Sequence, residues 1–333
     1  MPAKISCVSY YLPTGTLTNE DLTRDFPEWS VDKIAKKTGI HTRHIAAADE
    51  FASDLAVGAG AALFDEHAVD RASVDYLIVC TQSPDYFLPT TACVVQDRLG
   101  LDTRVGAIDV NLGCSGYIYS LGLAKGLIES GQADRVMIIT ADTYSKFINA
   151  GDKSVRTIFG DGASATLVSS DGVPESLQAI TYGTDGSGAR HLMVPHGGLR
   201  TDAVGHDASV TGERTSNGYD LFMDGPEIFN FTIRVVPSSV DRILNKAGLA
   251  KGDIDLFVFH QANSFMLEHL RKKLEIDKDR FFVSMEATGN TVSSSIPIAL
   301  AEAVRQGALR EGMRVLLLGF GVGLSWGGLI LEW

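Results

Sequence analysis

The sequence predicts an α/β fold made twice from one pattern, and three observations point to it. Near-continuous apolar strands alternate with helically spaced apolar runs, as expected for parallel strands buried on both faces beneath helices. The second half repeats the first, since Ile254-Asp-Leu-Phe-Val-Phe-His260 echoes Val74-Asp-Tyr-Leu-Ile-Val-Cys80. Between them, a β-branched run from Val105 to Val110 reads as a buried strand. After Asn111-Leu-Gly113 it gives way to helical spacing through Tyr117, Ile118, Leu121, Ala124 and Ile128. Cys114 therefore sits where a strand turns into a helix.

The 333 residues, 45% hydrophobic and 21% charged, allow two domains or one large duplicated unit. The repeat divides the chain into residues 1–173, which hold Cys114, and 174–333, which hold His260 and Asn290. A net charge of -12 argues against nucleic acid and acidic membrane surfaces as partners. No apolar run reaches membrane-spanning length, so no membrane insertion is expected, and the start of the chain enters a strand pattern without a signal core. Cys7, Cys80, Cys93 and Cys114 lack C-x-x-C spacing, which disfavours disulfides and structural zinc and predicts a cytoplasmic protein.

In chain order, residues 4–10 read as a strand, and Asn19 starts a short helix with an Asn or Thr cap. Trp29 to His44 is the densest cationic stretch of the first half, with Lys33, Lys36, Lys37, His41, Arg43 and His44. It reads either as a solvated helix face with a turn or as a mouth for a phosphate-bearing substrate. A helix of small residues spans Ala52 to His67, Val74 to Cys80 is a buried strand, and Thr81 to Thr91 form a loop, with Pro84, Tyr86, Phe87, Leu88 and Pro89, before a helix to Leu99. The exposed aromatics of that loop suit an interface. Arg135 to Thr140 is another buried strand, and Gly160-Asp-Gly162 is a tight turn feeding a strand to Val168, without the following Gly-Lys of a phosphate loop. Residues 183–225 read as loop, and His191, His196 and His206 within it lack metal-ligand spacing. Gly289-Asn290, a small-residue helix, Gly307 and the strand from Arg314 then repeat Gly113-Cys114, its helix, Gly131 and the strand from Arg135.

A thiol at a helix N-terminus faces unpaired N–H groups and the positive end of the dipole, so Cys114 is expected below the ordinary thiol pKa. If the halves stack about a pseudo-twofold axis, Cys114 and Asn290 face one another as equivalent helix N-termini. His260 then ends a neighbouring strand, at the carboxyl edge where ligands collect in such sheets. A thiolate can accept an acyl group from a thioester. His260 and Asn290 can donate to the enolate oxygen left when a malonyl thioester loses carbon dioxide. Backbone N–H groups of Cys114 and the Gly319-Phe-Gly321-Val322-Gly323 loop would form an oxyanion hole. Three other readings stay open: transfer of the acyl group to an oxygen or nitrogen acceptor, a cysteine protease in which Asn orients His, and a catalytically silent dimeric scaffold.

Asn111-Leu-Gly-Cys114-Ser-Gly, Ile158-Phe-Gly-Asp-Gly-Ala, His260-Gln-Ala-Asn263, Gly289-Asn290-Thr and Gly319-Phe-Gly-Val-Gly-Leu-Ser-Trp326-Gly occur in one order over essentially the whole chain. Together they closely resemble the β-ketoacyl-acyl-carrier-protein synthase III family of the thiolase superfamily. The resemblance implies a thiolase-like five-layer α-β-α-β-α fold from two duplicated halves, a homodimer, and decarboxylative condensation without metal or bound cofactor. The implied substrates are acyl-CoA or an acyl-carrier protein (acyl-ACP) and malonyl-ACP. It makes Cys114 the acyl acceptor, His260 and Asn290 the decarboxylation pair, and Phe320, Gly321 and Val322 the active-site loop. Lys37, Lys153 and Asn263 become substrate contacts, Leu88 with Phe87 an element of the acyl pocket shared with a partner subunit, and Arg271, Lys272 and Lys273 the carrier-protein docking residues. Five positions depart from the family pattern. Trp29 lies upstream of the usual tryptophan, and Lys37 replaces an arginine. Phe265 stands where a docking arginine is usual, Pro226 where an asparagine is common, and Val322 replaces a glycine of the oxyanion loop.

Overall fold

The computed structural model describes residues 2–170, 176–199 and 218–333. The expected boundary at 173/174, His206 and part of the 183–225 loop lie outside the described residues.

Two sheets carry the fold. The first contains β1 (Lys4–Tyr11), β4 (Tyr76–Cys80), β5 (Gly106–Val110), β6 (Arg135–Asp142) and β7 (Gly162–Ser169) in the order β1-β7-β6-β4-β5. Strands β6, β4 and β5 are parallel, while β7 and β1 join antiparallel. The second contains β8 (Leu177–Thr184), β11 (Leu256–Phe259), β12 (Arg314–Gly321) and β13 (Ser325–Glu332) in the order β8-β13-β12-β11. It has the same succession of directions. At the place of β5, Phe281 makes a single parallel bridge to Phe257. One topology is thus written twice. A small hairpin of β2 (Gly15–Thr18) with β3 (Thr42–Ile45), and a pair of β9 (Leu192–Met193) with β10 (Phe222–Met223), stand outside the two sheets.

Helices α5 (Gly116–Glu129) and α9 (Ser295–Arg305) lie between the sheets and touch both. A helix in that position must be apolar on more than one face. Tyr117, Ile118, Leu121, Ala124 and Ile128 of α5 accordingly join Ile296, Ala299, Leu300 and Ala303 of α9 in one buried cluster. Outside the first sheet lie α3 (Ala52–His67) and α4 (Thr91–Arg98), and outside the second lie α7 (Gly225–Ala247) and α8 (Ser264–Lys273). The layers therefore run α-β-α-β-α. Leu121, fully buried in the middle layer, is expected to cost about 2–5 kcal/mol when cut to alanine. Urea unfolding of the variant checks that expectation.

Two local expectations change and one is narrowed. The run Val105–Val110 is not buried: the strand starts at Gly106, forms the sheet's edge, and leaves Ile108 exposed. A β-branched run reads alike at a centre and at an edge, so composition could not separate them. The first short helix, α1 (Asn19–Asp25), is capped by Thr18, which exchanges bonds with Asp21. Asn19 is instead buried and donates to the Ile40 carbonyl at 2.8 Å. Asn290 does not open a helix as Cys114 nearly does, because a 3₁₀ turn, Val292–Ser294, separates it from α9. Val292 in that turn has φ 54, a left-handed conformation costly for a β-branched residue.

Candidate active site

Strand β5 delivers the chain to Gly113 and Cys114, and Ser115 stands at the N-cap position of α5 with its hydroxyl on Ser325 Oγ at 2.7 Å rather than on the helix. Gly113 has no side chain because Gln82, Val322 and Val292 already occupy its open face. Opposite, the backbone of Gly321 lies so near the sulfur that a Cβ there would stand 2.7 Å from Cys114 Sγ. Gly321→Ala is therefore expected to slow acylation of Cys114 by about 10²-fold through misplacement of the nucleophile, read as the rate of acyl-adduct formation by mass spectrometry. The N–H groups of Val322 and of Cys114 itself point at the sulfur. Valine in place of glycine at position 322 keeps that N–H and adds a methyl packed on Gly113.

Burial governs the charges here. Cys114 is 4% exposed, and its thiol is pushed up to about 12, first by loss of water and further by the nearby Asp142 carboxylate, against the pull of the two N–H groups. The expected depression by the helix N-terminus is overturned. Sequence locates the helix start but not the depth at which it is buried, and here desolvation outweighs the dipole. Burial also holds His260 neutral, pushing its imidazole down to about 3.

His260 follows β11 directly, and its N–H donates to Leu318 O at 2.9 Å. Its Nδ1 lies 2.7 Å from Ser295 Oγ, and Ser295 Oγ also accepts from the N–H of Gln261 at 3.3 Å. A hydroxyl gives and takes, so it supports either tautomer. Phe320 stands edge-on to the imidazole, 5.7 Å between centroids. Asn290 is fixed at both ends: its N–H donates to Ile158 O at 3.0 Å, and its Oδ1 accepts from the strained Val292 N–H at 2.9 Å. That leaves Nδ2 facing His260 Nε2 at 3.4 Å. Ser295→Ala would strand Nδ1 in a dry site, a loss of about 1–3 kcal/mol. The expected result is a lower urea midpoint together with a slower condensation step.

Cys114, His260, Asn290, Phe320 and Gly321 border one cavity of about 450 Å³. Trp29, Lys37, Asn263, Phe229 and Phe265 line the same cavity. Trp29 lines it although it lies upstream of the family's usual tryptophan. Its ring gathers Lys33 at 5.1 Å, Lys37 at 4.8 Å and Lys153 at 5.7 Å. Lys33 and Lys37, four residues apart within α2 (Val31–Thr38), share one face of that helix, and Trp29, just ahead of its N-cap Ser30, turns its ring under both. Lys153 also pairs with Glu28 at 2.6 Å. Two further cations of the stretch are structural. Arg43 is fully buried and spends its guanidinium on Thr157 O and Asn19 Oδ1, while His44 Nδ1 lies 2.6 Å from Pro13 O.

Other expected contacts fall differently. Asn263 lines the cavity while its Oδ1 caps α8 by accepting from Met266 N at 2.9 Å. Phe87 and Leu88 stand 80% and 83% exposed and do not border the cavity of their own chain. Arg271 forks onto Glu268 at 2.8 Å, and Lys273 donates to Ile233 O at 2.9 Å. Lys272 keeps a side chain 70% exposed, within 3.3 Å of Glu268. Asp161 of the Gly-Asp-Gly turn accepts from Ala46 N and Ser145 N, so that turn is a clamp between elements. Among the described residues no three His, Cys, Asp or Glu side chains converge as a metal site.

A duplicated α-β-α-β-α stack, with a cysteine at the buried start of one central helix and a histidine and an asparagine from the other half across the cavity, is the architecture of the thiolase-like class. Residues 108–186 match the family described as 3-oxoacyl-[acyl-carrier-protein (ACP)] synthase III, and residues 244–333 match its C-terminal part. The chain is 37% identical over 323 residues, 97% of its length and 95% of the relative's, to a beta-ketoacyl-[acyl-carrier-protein] synthase III of Caldanaerobacter subterraneus subsp. tengcongensis. A crystal structure of a 3-oxoacyl-(acyl-carrier-protein) synthase III superposes with TM-score 0.95 at 48% identity, covering 100% of both chains. The priming beta-ketosynthase of the R1128 polyketide biosynthetic pathway does so with TM-score 0.88 at 30% identity, covering 99% of this chain and 96% of that one. The chain belongs to the 3-oxoacyl-[acyl-carrier-protein] synthase III family.

Proposed function

We propose that the protein is a condensing acyltransferase that loads an acyl group from an acyl thioester onto Cys114 and joins it to malonyl-ACP with loss of carbon dioxide. The observation that carries this reading is the convergence on one cavity of the cysteine, two N–H groups aimed at its sulfur, and the His260–Asn290 pair.

In the first step the neutral imidazole takes the proton of Cys114 at Nε2, with Nδ1–H donating to Ser295. The sulfur adds to the acyl carbonyl, whose oxygen is held by the N–H groups of Cys114 and Val322. The carrier thiolate leaves and collects the proton from His260, so one thioester replaces another. Between the steps the imidazole exchanges its Nδ1 proton for one at Nε2 through solvent as the carrier departs, so that in the second step Ser295 donates to Nδ1 and His260 presents Nε2–H beside Asn290 Nδ2–H. The 3.4 Å spacing of these nitrogens suits two donors aimed at a single oxygen rather than at each other. As carbon dioxide leaves the malonyl thioester, the electron pair moves into the enolate that these donors stabilise. The enolate carbon then attacks the acyl carbon, the carbon–sulfur bond to Cys114 breaks, and the thiolate takes up one proton from solvent.

The lysines gathered on Trp29 favour a phosphate-bearing carrier arm at the mouth, with Lys37, Lys153 and Asn263 along its path. The exposed Lys272 and Phe265 offer a charged and an apolar contact for a carrier protein. The open edge of β5, with Ile108 exposed, favours a homodimer paired along that edge, in which Phe87 and Leu88 reach the partner's pocket. Four free cysteines fit a cytoplasmic setting. Within this reading the nucleophile belongs to a half ending near residue 173 and the donor pair to the other.

Intact-protein mass spectrometry after incubation with a panel of acyl-CoAs and acyl-carrier proteins, followed by malonyl-ACP, tests the function. The expected result is an acyl adduct on Cys114 that discharges as a β-ketoacyl-carrier protein. An adduct that malonyl-ACP leaves untouched overturns condensation in favour of transfer to another acceptor.

A further inference from the structure

A buried carboxylate next to this site is used by none of the steps above. Asp142 ends β6 and is 0% exposed. Its Oδ1 accepts from the N–H of Gln82 at 2.8 Å. Its Oδ2 accepts from the N–H of Ser293 at 3.3 Å and from the Ser293 hydroxyl. These two partners belong to opposite sides of the catalytic geometry. Gln82 follows β4, holds the hydroxyl of Tyr144 at 2.7 Å, and lays its side chain on the bare face of Gly113, the residue before Cys114. Ser293 belongs to the 3₁₀ turn whose Val292 N–H orients the Asn290 amide.

We infer that Asp142 is a positioning residue: one carboxylate ties the seat of Cys114 to the turn that aims Asn290, and places a negative charge beside the nucleophile. The inference deepens the condensing reading and rests on it for the identity of the nucleophile and its donors. Each oxygen of Asp142 faces a backbone N–H, which can only donate, so both oxygens must accept and the ionised form is the one the cage fits. Asparagine at this position cannot reproduce that arrangement, because its NH₂ would oppose either the Gln82 or the Ser293 N–H.

The other titratable groups around the pair are Cys80 at the end of β4, Tyr144 on the turn after β6, Asp161 ahead of β7 and His260 after β11. Burial raises Cys80 and Tyr144 and lowers His260, so each stays uncharged near neutral pH. Asp161 is engaged by Ala46 and Ser145. Burial pushes the Asp142 carboxyl itself up to about 7, against the bonds from Ser293 and Gln82, so its charge is fully present only above that pH, and there it favours the Cys114 thiol over the thiolate.

Two variants test the two halves of the inference. In D142N the iodoacetamide labelling of Cys114, read at that peptide by mass spectrometry across pH, is expected to move to lower pH, giving about tenfold faster labelling at a given pH on the rising limb. In S293A the charge remains, so the labelling curve stays in place. Acyl loading of Cys114 stays within about twofold of wild type, while condensation with malonyl-ACP falls about tenfold because the Asn290 turn has lost a tether. A folded D142N whose labelling curve overlays wild type, or an S293A that condenses at the wild-type rate, overturns the inference. If D142N does not fold, S293A decides. A wild-type protein that loads but never condenses would instead overturn the functional reading, and the labelling comparison would still decide the role of Asp142.

Discussion

Cys114→Ala is expected to abolish the acyl adduct and lower condensation by on the order of 10⁴-fold or more, because the covalent intermediate cannot form and no other group can take its place. The neighbouring thiols offer no substitute. Cys80 is fully buried and its thiol is pushed above the ordinary range, chiefly by burial, while Cys7 belongs to the cluster on the outer face of the first sheet. The high pKa of Cys114 gives the prediction a second edge. Since burial keeps the sulfur protonated, wild-type labelling by iodoacetamide should still be climbing at about pH 10, whereas acylation by a bound thioester should proceed near neutral pH with His260 as base. Intact-mass kinetics with both reagents check this. A labelling curve that levels off near the ordinary thiol pKa would show that the buried cysteine is not held as the structure has it.

Asn290→Ala should separate the two chemical steps. Acyl loading needs the sulfur, the His260 base and the N–H groups of Cys114 and Val322, none of which the substitution removes. Decarboxylation needs two donors on one oxygen, and the loss of one costs about 10²–10³-fold. The acyl-enzyme should then accumulate while β-ketoacyl product forms slowly, as seen by parallel adduct and product measurements with malonyl-ACP. His260→Ala should slow both steps. Equal slowing of loading and condensation in the asparagine variant would overturn the assignment of Asn290 to the second step.

The strands, the helix after Cys114 and the duplication could be read from the chain because each rests on local order: apolar runs, the change from strand to helical spacing, and matched intervals. Residues 4–10, 52–67 and 135–140 fall within or on the observed elements for that reason. Trp29 escaped the site because its approach to Lys153 and the mouth joins parts of the chain more than a hundred residues apart. Asp142 gave no signal for the same reason, since its partners Gln82 and Ser293 lie in different halves. Arg43 and Lys37 looked alike in one cationic stretch. One is now fully buried among carbonyls and the other is exposed at the mouth.

By itself the sequence determined which residues the chemistry employs and the repeated order of elements that carries them, because residue type and periodicity are written along the chain. The tertiary structure decided how those residues behave. It buried the thiol deeply enough for desolvation to outweigh the helix dipole, kept His260 neutral, turned the Asn290 amide by a strained N–H, and left β5 at an open edge. Each depends on what stands opposite a residue in space, through the water excluded and the charges brought near, and no local pattern encodes that.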